Sequence, residues 1–490
     1  MKKLSALIIS LIMIVIIITP LCSYAGVKTA EYDTDSYETN IAVQSNIGLK
    51  SAIYDDLINC NKQIDISSLS VSLSNINDLA NEYYDILHNS PELFYTDYGF
   101  SYGYNSVTNI VTVIYPKYTM EKSEVKTART VYENGIDRAV KLIDDDMTDV
   151  QKALVIHDYL CNIARYPKLV YDSNNNLTND DSSYHNAYGM FSTGVVVCEG
   201  YTQAFSAIMN KLGIESKYVS SSSMNHAWNV VKIDGEWYNA DLTFDDPILD
   251  QENNSSTYGI FTHNNFLKSD AKFRTSDCNS HTGMIYPDGV SCTSNKYDDY
   301  FWDTIIGFIG VHNKEYYYTD FTKNSSSSLS NLNVLKRDEK GNTEIFNNDT
   351  YYTFVGSLGN LDMPMAKLVQ YQGKFYLSHS RITLKNSNYV LENCISVINY
   401  DKSGYDFDEF TSTLNSVDTY FSLGIIDGDL GYLTLKDINS GNYTYHIYSR
   451  TERFENLYEN DNYDSYDDVN SDGVINSKDY TYIQKGEYLL

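Results

Sequence analysis

One hairpin signal constrains this chain more than any other feature. Residues 224–233 (MNHAWNVVKI) read as a strand, Asp234-Gly235 as a two-residue turn, and residues 236–244 (EWYNADLTF) as the returning strand. A two-residue loop pairs Ile233 with Glu236 and carries the register back to Trp228 opposite Asp241. Side chains alternate faces along a strand, so His226 and Trp228 share a face. Opposed residues share a face as well. His226 and Asp241 are then diagonal neighbours, roughly 7 Å apart at the backbone and within bridging reach of their side chains. A bulge or a three-residue loop would break that parity.

Just upstream, Val195-Val196-Val197 runs into Cys198, and a helix is expected to follow. Tyr201, Ala204, Phe205, Ile208 and Leu212 mark one face of it, and Gly213 is a natural stop. Cys198 therefore sits at a helix N-terminus, where the partial positive charge favours thiolate, the nucleophilic form. The N–H groups at that tip can hold a developing oxyanion. Each residue alone has a simpler explanation. A cysteine opening a helix is more often a small buried apolar residue, a strand histidine is usually a satisfied structural one, and Asp241 could open a turn. The joint arrangement is what points to a nucleophile, its base and an orienting carboxylate.

Three stretches, VCEGY at 197–201, NHAWN at 225–229 and WYNADLTFDDP at 237–247, resemble the transglutaminase-like superfamily in its bacterial exported branch. The resemblance covers about residues 145–275. It implies an α+β fold with a papain-like core, in which a helix-tip cysteine packs on an antiparallel sheet. Cys198 would be nucleophile, His226 base and acid, and Asp241 orienter, with no cofactor for catalysis. Tyr184–Met190 (YHNAYGM) resembles the segment that precedes the family's cysteine, and His263–Leu267 the segment that closes the domain. Phe244 stands where the family commonly has Trp, which leaves the triad intact. His157 also resembles a family feature, and packing and hydrogen bonding are its expected role. His185 and Tyr188 are candidates for a second oxyanion donor, which the sequence does not fix.

Around this core the chain divides by pattern. Residues 1–25 read as a signal peptide, with Lys2 and Lys3, an apolar run from Leu4 to Cys22, and Ser23-Tyr24-Ala25 as a cleavage site. The rival is an uncleaved anchor, since the run is just long enough for a bilayer. Leu21 before Cys22 argues against a lipoprotein site. No later segment is apolar enough to span a membrane. Residues 26–48 are polar and expected to be a flexible leader, and 49–145 an N-terminal α/β extension. Residues 146–280 are the expected catalytic domain. It opens on a helix from Asp146 to Ala164 that a Thr148/Gln151 capping box would start, and residues 171–183 are expected to be a loop. Residues 286–455 read as a tyrosine-rich β domain, followed by an acidic linker and short tail at 456–490. Within the β domain, Ile305–Asp320, Ala366–Ser380 and Ser422–Asp437 look alike: each pairs an apolar run with a short turn, a weak repeat.

Tyrosine is abundant, 46 residues against 18 Phe and 3 Trp, which suits half-buried strands and amphipathic surfaces. The formal net charge of -29 excludes nucleic acid as a partner. The seven cysteines show no CxxC pair or zinc spacing. A bridge between Cys278 and Cys292 is left open.

The tail holds a calcium-loop pattern. Asp468, Asn470, Asp472, the Val474 carbonyl, Asn476 and Asp479 supply oxygens at EF-hand spacing, with Gly473 at the turn. Asp479 replaces the usual Glu. The segment resembles a dockerin type I repeat, which implies Ca²⁺ and docking onto a cohesin-type scaffold in a cellulosome-like bacterial assembly. Such modules carry two repeats, and this chain has one.

Two functions follow. The first is a secreted or cell-surface bacterial enzyme that attacks a peptide or carboxamide bond, forms a thioester, and passes the acyl group to water or an amine. The second is a catalytically silent surface binding module built on the tyrosine-rich β region and the calcium loop.

Overall fold

The computed structural model describes residues 27–32, 47–170, 172, 178–247 and 261–323 and, between 330 and 447, the strands named below. The expected signal peptide, the rest of the leader to residue 46, and the linker and calcium loop to residue 490 lie outside the described residues. Among the described residues, no helix is long and apolar enough to cross a membrane.

The chain falls into two compact units, Met1–Thr130 and Val131–Leu490. The first unit holds β1 (Val27–Tyr32), α1 (Ile47–Ile58), β2 (Ile64–Asp65), α2 (Ile76–Asn89), β3 (Thr96–Asn105), β4 (Ile110–Tyr118) and the start of α3 (Lys122–Val140). Its sheet runs in the order β1-β3-β4-β2. Strand β1 lies within the leader expected to be flexible. It pairs antiparallel with β3 from Val27 opposite Asn105 to Tyr32 opposite Phe100. As an edge strand it gains ladder hydrogen bonds without needing an apolar face, so its polar composition hid it. Helix α2 buries Leu79, Ala80, Tyr83, Ile86 and Leu87, a helical spacing that lays one stripe on the sheet. The Tyr83 and Phe100 rings meet at 4.8 Å.

In the second unit, α4 (Asp149–Ile163) starts at the expected capping box, the Gln151 side chain accepting the Thr148 backbone N–H at 3.0 Å. Then come α5 (Ala187–Ser192), α6 (Cys198–Lys211), β5 (Ser216–Ser221), β6 (His226–Ile233), β7 (Glu236–Ala240), α7 (Leu242–Asp245), β8 (Phe266–Lys268) and α8 (Asp270–Phe273). Strands β5 to β8 form an antiparallel sheet in sequence order. Helix α6 packs on β5 and β6. A core of Val219, Trp228, Val230, Trp237, Phe273, Cys278 and Cys292 fills one side of the sheet. Burying a ring such as Phe273 contributes about 2 kcal/mol over leaving it exposed. Cys278 and Cys292 are both free thiols there, so no bridge joins them.

From Gly310 to Ile447 the described elements are strands. Strands β9 (Gly310–His312), β10 (Glu315–Lys323), β11 (Ser330–Asp338) and β12 (Gly341–Tyr351) form one sheet, and β13 (Phe354–Leu358) pairs with β14 (Leu361–Pro364). Strands β15 (Lys367–Tyr371), β16 (Lys374–Lys385), β17 (Asn388–Asn399) and β18 (Asp406–Phe410) form another. Strands β19 (Tyr420–Ile426), β20 (Asp429–Leu435) and β21 (Tyr443–Ile447) form a third. The three look-alike segments each hold a hairpin. Their closing pairs are His312 with Glu315, Tyr371 with Lys374 and Ile426 with Asp429.

Candidate functional site

The hairpin forms in the expected register. Ile233 faces Glu236, and the pairing runs on to Asn229 opposite Ala240. Asp234 (φ 53°) and Gly235 (φ 87°) both take left-handed backbone, the turn whose twist matches the flanking strands. Asp241 leaves the ladder just past Ala240 and caps α7, its Oδ1 accepting the N–H groups of Thr243 (3.0 Å) and Phe244 (3.2 Å). The His226 Nε2–H donates to the other oxygen, Oδ2, at 2.6 Å. With Nε2 spent on Asp241, Nδ1 is the nitrogen left for Cys198, whose thiol interacts with this ring.

Cys198 is the first residue of α6, and Val197 at the N-cap supplies no side-chain cap. Three motif residues set where that helix tip sits. Gly200 makes a close approach possible, since a Cβ there would lie 2.6 Å from Val196 Cβ and 2.7 Å from the Tyr184 carbonyl oxygen. Buried Asn229 on β6 donates through Nδ2 to the Thr202 carbonyl (3.1 Å) and to Ser206 Oγ (2.8 Å), clamping α6 to the strand that carries His226. Tyr201 donates its hydroxyl to Asp246 Oδ2 at 2.6 Å, tying the helix to the residues after α7.

Electrostatics follow from burial and pairing. Burial alone would pull the His226 imidazolium down, but the charge and hydrogen bond of Asp241 and the Cys198 thiol outweigh it and push His226 up to about 10. Burial would raise Asp241, yet His226 and His281 outweigh it and hold the carboxyl well below the usual range. Burial pushes Asp246 up to about 8. Phe244, where the sequence resemblance expects Trp, stacks on the His226 ring at 4.4 Å.

His185, a candidate oxyanion donor, lies against Glu199, the residue after Cys198. Its Nδ1 is 3.1 Å from Glu199 Oε2 and its Nε2 2.8 Å from Asp180 Oδ1, so both nitrogens are taken by carboxylates. Burial lowers it, but those two partners win and push it up to about 9.

Sequence reasoning missed a second imidazole. His281, fully buried, donates Nε2–H to Asp241 Oδ2 at 2.9 Å, the same oxygen that accepts from His226. It lies in a segment with no periodicity, and only the folded chain brings it to Asp241. His157, whose expected role is packing and hydrogen bonding, takes that role in a closed network with partners the sequence did not indicate. His157 contacts Asp158 Oδ1 (2.9 Å) and Asp245 Oδ2 (3.2 Å), and His263 contacts Asp158 Oδ1 (3.0 Å) and the Ile305 carbonyl (3.2 Å). Three ligand-type atoms of His157, Asp158 and His263 lie within 4.8 Å of one another. Hydrogen bonds join His157 and His263 through Asp158 Oδ1.

Residues 136–242 match the family model described as Transglutaminase-like superfamily. No curated protein sequence matches the chain. A solved structure titled "Crystal structure of a TGase" is 15% identical over 28% of this chain and 43% of that one, with a TM-score of 0.20, too slight a likeness to argue from. The chain thus spans less than half the length of that structure. The similarity to the transglutaminase-like superfamily thus covers residues 136–242, the stretch that holds Cys198, His226 and Asp241.

Proposed function

We propose that this protein is an exported cysteine acyl-transfer enzyme in which Cys198 is the nucleophile, His226 the base and acid, and Asp241 the group that orients His226. What carries the reading is one observation: His226 is held between the Asp241 carboxylate at 2.6 Å and the thiol at the tip of α6. The Cys198 thiol passes its proton to His226 Nδ1. The thiolate attacks the carbonyl carbon of a carboxamide or peptide bond, and its oxygen takes up the negative charge beside the Cys198 N–H. His226 then gives its Nδ1 proton to the leaving nitrogen, the C–N bond breaks, and a thioester remains. Water or an amine next gives a proton to His226 while its oxygen or nitrogen bonds the acyl carbon. The C–S bond breaks and the thiolate is restored.

Release of amine or ammonia from carboxamide peptides, with and without an added primary amine, tests this. Cys198→Ala is expected to abolish turnover; retained turnover in that variant rejects the assignment.

Secretion or surface display rests on the apolar segment of residues 1–25, and the tail extends the proposal. Its oxygen-only donors, Asp468, Asn470, Asp472, Val474, Asn476 and Asp479, suit a hard cation, so one Ca²⁺ per chain is expected, with a cohesin-type scaffold as candidate partner. Calorimetric titration of the full chain should saturate at one ion and lose that event in Asp472→Ala; saturation unchanged by the substitution argues against the loop.

A further inference from the structure

His281 lies outside the residues that match the family, and the loop carrying it is firmly held. Asn279 (φ 59°) and Ser280 (φ 55°), immediately before it, both take left-handed backbone. Two non-glycine residues in that conformation in succession persist only where the surroundings over-determine them. The surroundings do so here. The His281 N–H donates to the Phe273 carbonyl (3.0 Å), and the Ile285 N–H to the Ser220 carbonyl (2.9 Å). Ser221 Oγ donates to the Thr282 carbonyl at 2.6 Å. The ring stacks on Phe273 at 3.7 Å and meets Trp228 edge-on at 5.0 Å and Phe244 edge-on at 5.2 Å.

Its two nitrogens face different acceptors. Nδ1 is 2.7 Å from the Cys278 carbonyl oxygen, which only accepts, so Nδ1 carries hydrogen. Nε2 is 2.9 Å from Asp241 Oδ2. An ionised carboxylate also only accepts, so Nε2 carries hydrogen as well, and the ring is an imidazolium. The ionisable groups facing it are Asp241 and His226, whose ring centroid is 6.0 Å away. Cys278 turns its thiol elsewhere, to the Asn264 carbonyl at 3.0 Å.

We propose that His281 is a positioning residue for acyl transfer: protonated on both nitrogens, it fixes Asp241 Oδ2 on His226 and limits how firmly that carboxylate retains the His226 proton. This rests on the reading of Cys198, His226 and Asp241 given above. A carboxylate shared between two imidazolium rings holds each less tightly than it would hold one. His226 is thereby left acidic enough to protonate a leaving nitrogen. Removing the His281 charge makes the site more negative, which disfavours the thiolate and favours the His226 cation.

The test is alkylation of Cys198 by iodoacetamide against pH in the full chain, wild type beside His281→Gln, which retains an N–H donor without charge. Both limbs of the profile should move up by about one pH unit in the variant. A variant that folds with limbs unmoved assigns His281 a purely structural role and overturns the proposal. A wild type without a plateau that depends on His226 overturns the acyl-transfer reading too, which separates the two failures. The wild-type imidazole ¹⁵N spectrum reads the same point should the variant not fold. Two protonated ring nitrogens are expected at His281 at the pH of the reactive plateau, and a bare nitrogen there overturns the proposal.

Discussion

Two clusters of the same residue types lie in one unit of this chain, and they do opposite things. His157, Asp158, Asp245 and His263 are all fully or almost fully buried and spend their polar atoms on one another and on nearby backbone. His226, Asp241 and His281 form a similar chain of imidazoles and carboxylate, but its His226 ring also interacts with the cysteine on a helix tip. Histidine–aspartate pairing is therefore not what marks the candidate site. The open end and the thiol mark it. The closed cluster organises the scaffold, with Asp158 Oδ2 accepting the Ile309 N–H at 2.8 Å just before β9.

Breaking the closed cluster is expected to have the larger effect on folding. Asp158→Asn removes the charge that both His157 and His263 face, and the loss of stability should be about 3–5 kcal/mol, the usual cost of breaking a buried pair. Chemical denaturation measures it. The fraction that remains folded should alkylate at Cys198 with the wild-type pH profile. A changed profile in Asp158→Asn would erase the distinction between the two clusters.

The pH dependence of melting sharpens the comparison by a smaller amount. His226 is raised to about 10, so its contribution is complete below the unfolded value of ~6.5 and is lost as pH rises from there through about 10. Asp241 is depressed, so its contribution is present above ~3.9 and is lost as pH falls toward its folded value. His157 and His185 are also raised and add to the alkaline fall. Scanning calorimetry should thus show Tm falling above about pH 6.5, with a shallower fall in His226→Ala. An alkaline slope identical in the two proteins contradicts the His226–Asp241 pairing.

Much of the candidate site was legible because it rests on short-range rules. Asp234-Gly235 determines a hairpin register, and the register places His226 and Asp241 on one face. A valine run ending at Cys198 sets a helix tip. What was not legible depends on distant segments meeting. His281 reaches Asp241 across 40 residues of sequence, and His263 reaches Asp158 across 105. The edge strand β1 was hidden for another reason: ladder pairing with β3 asks little of its side chains.

The most direct measurement is the rate of Cys198 alkylation against pH in the wild type, His226→Ala and His157→Ala. A reactive plateau extending below about pH 7 should be present in the wild type and in folded His157→Ala, and absent from His226→Ala. A plateau that survives in His226→Ala, or that is lost equally in His157→Ala while that protein stays folded, would contradict the assignment of the open cluster to chemistry and the closed one to scaffold.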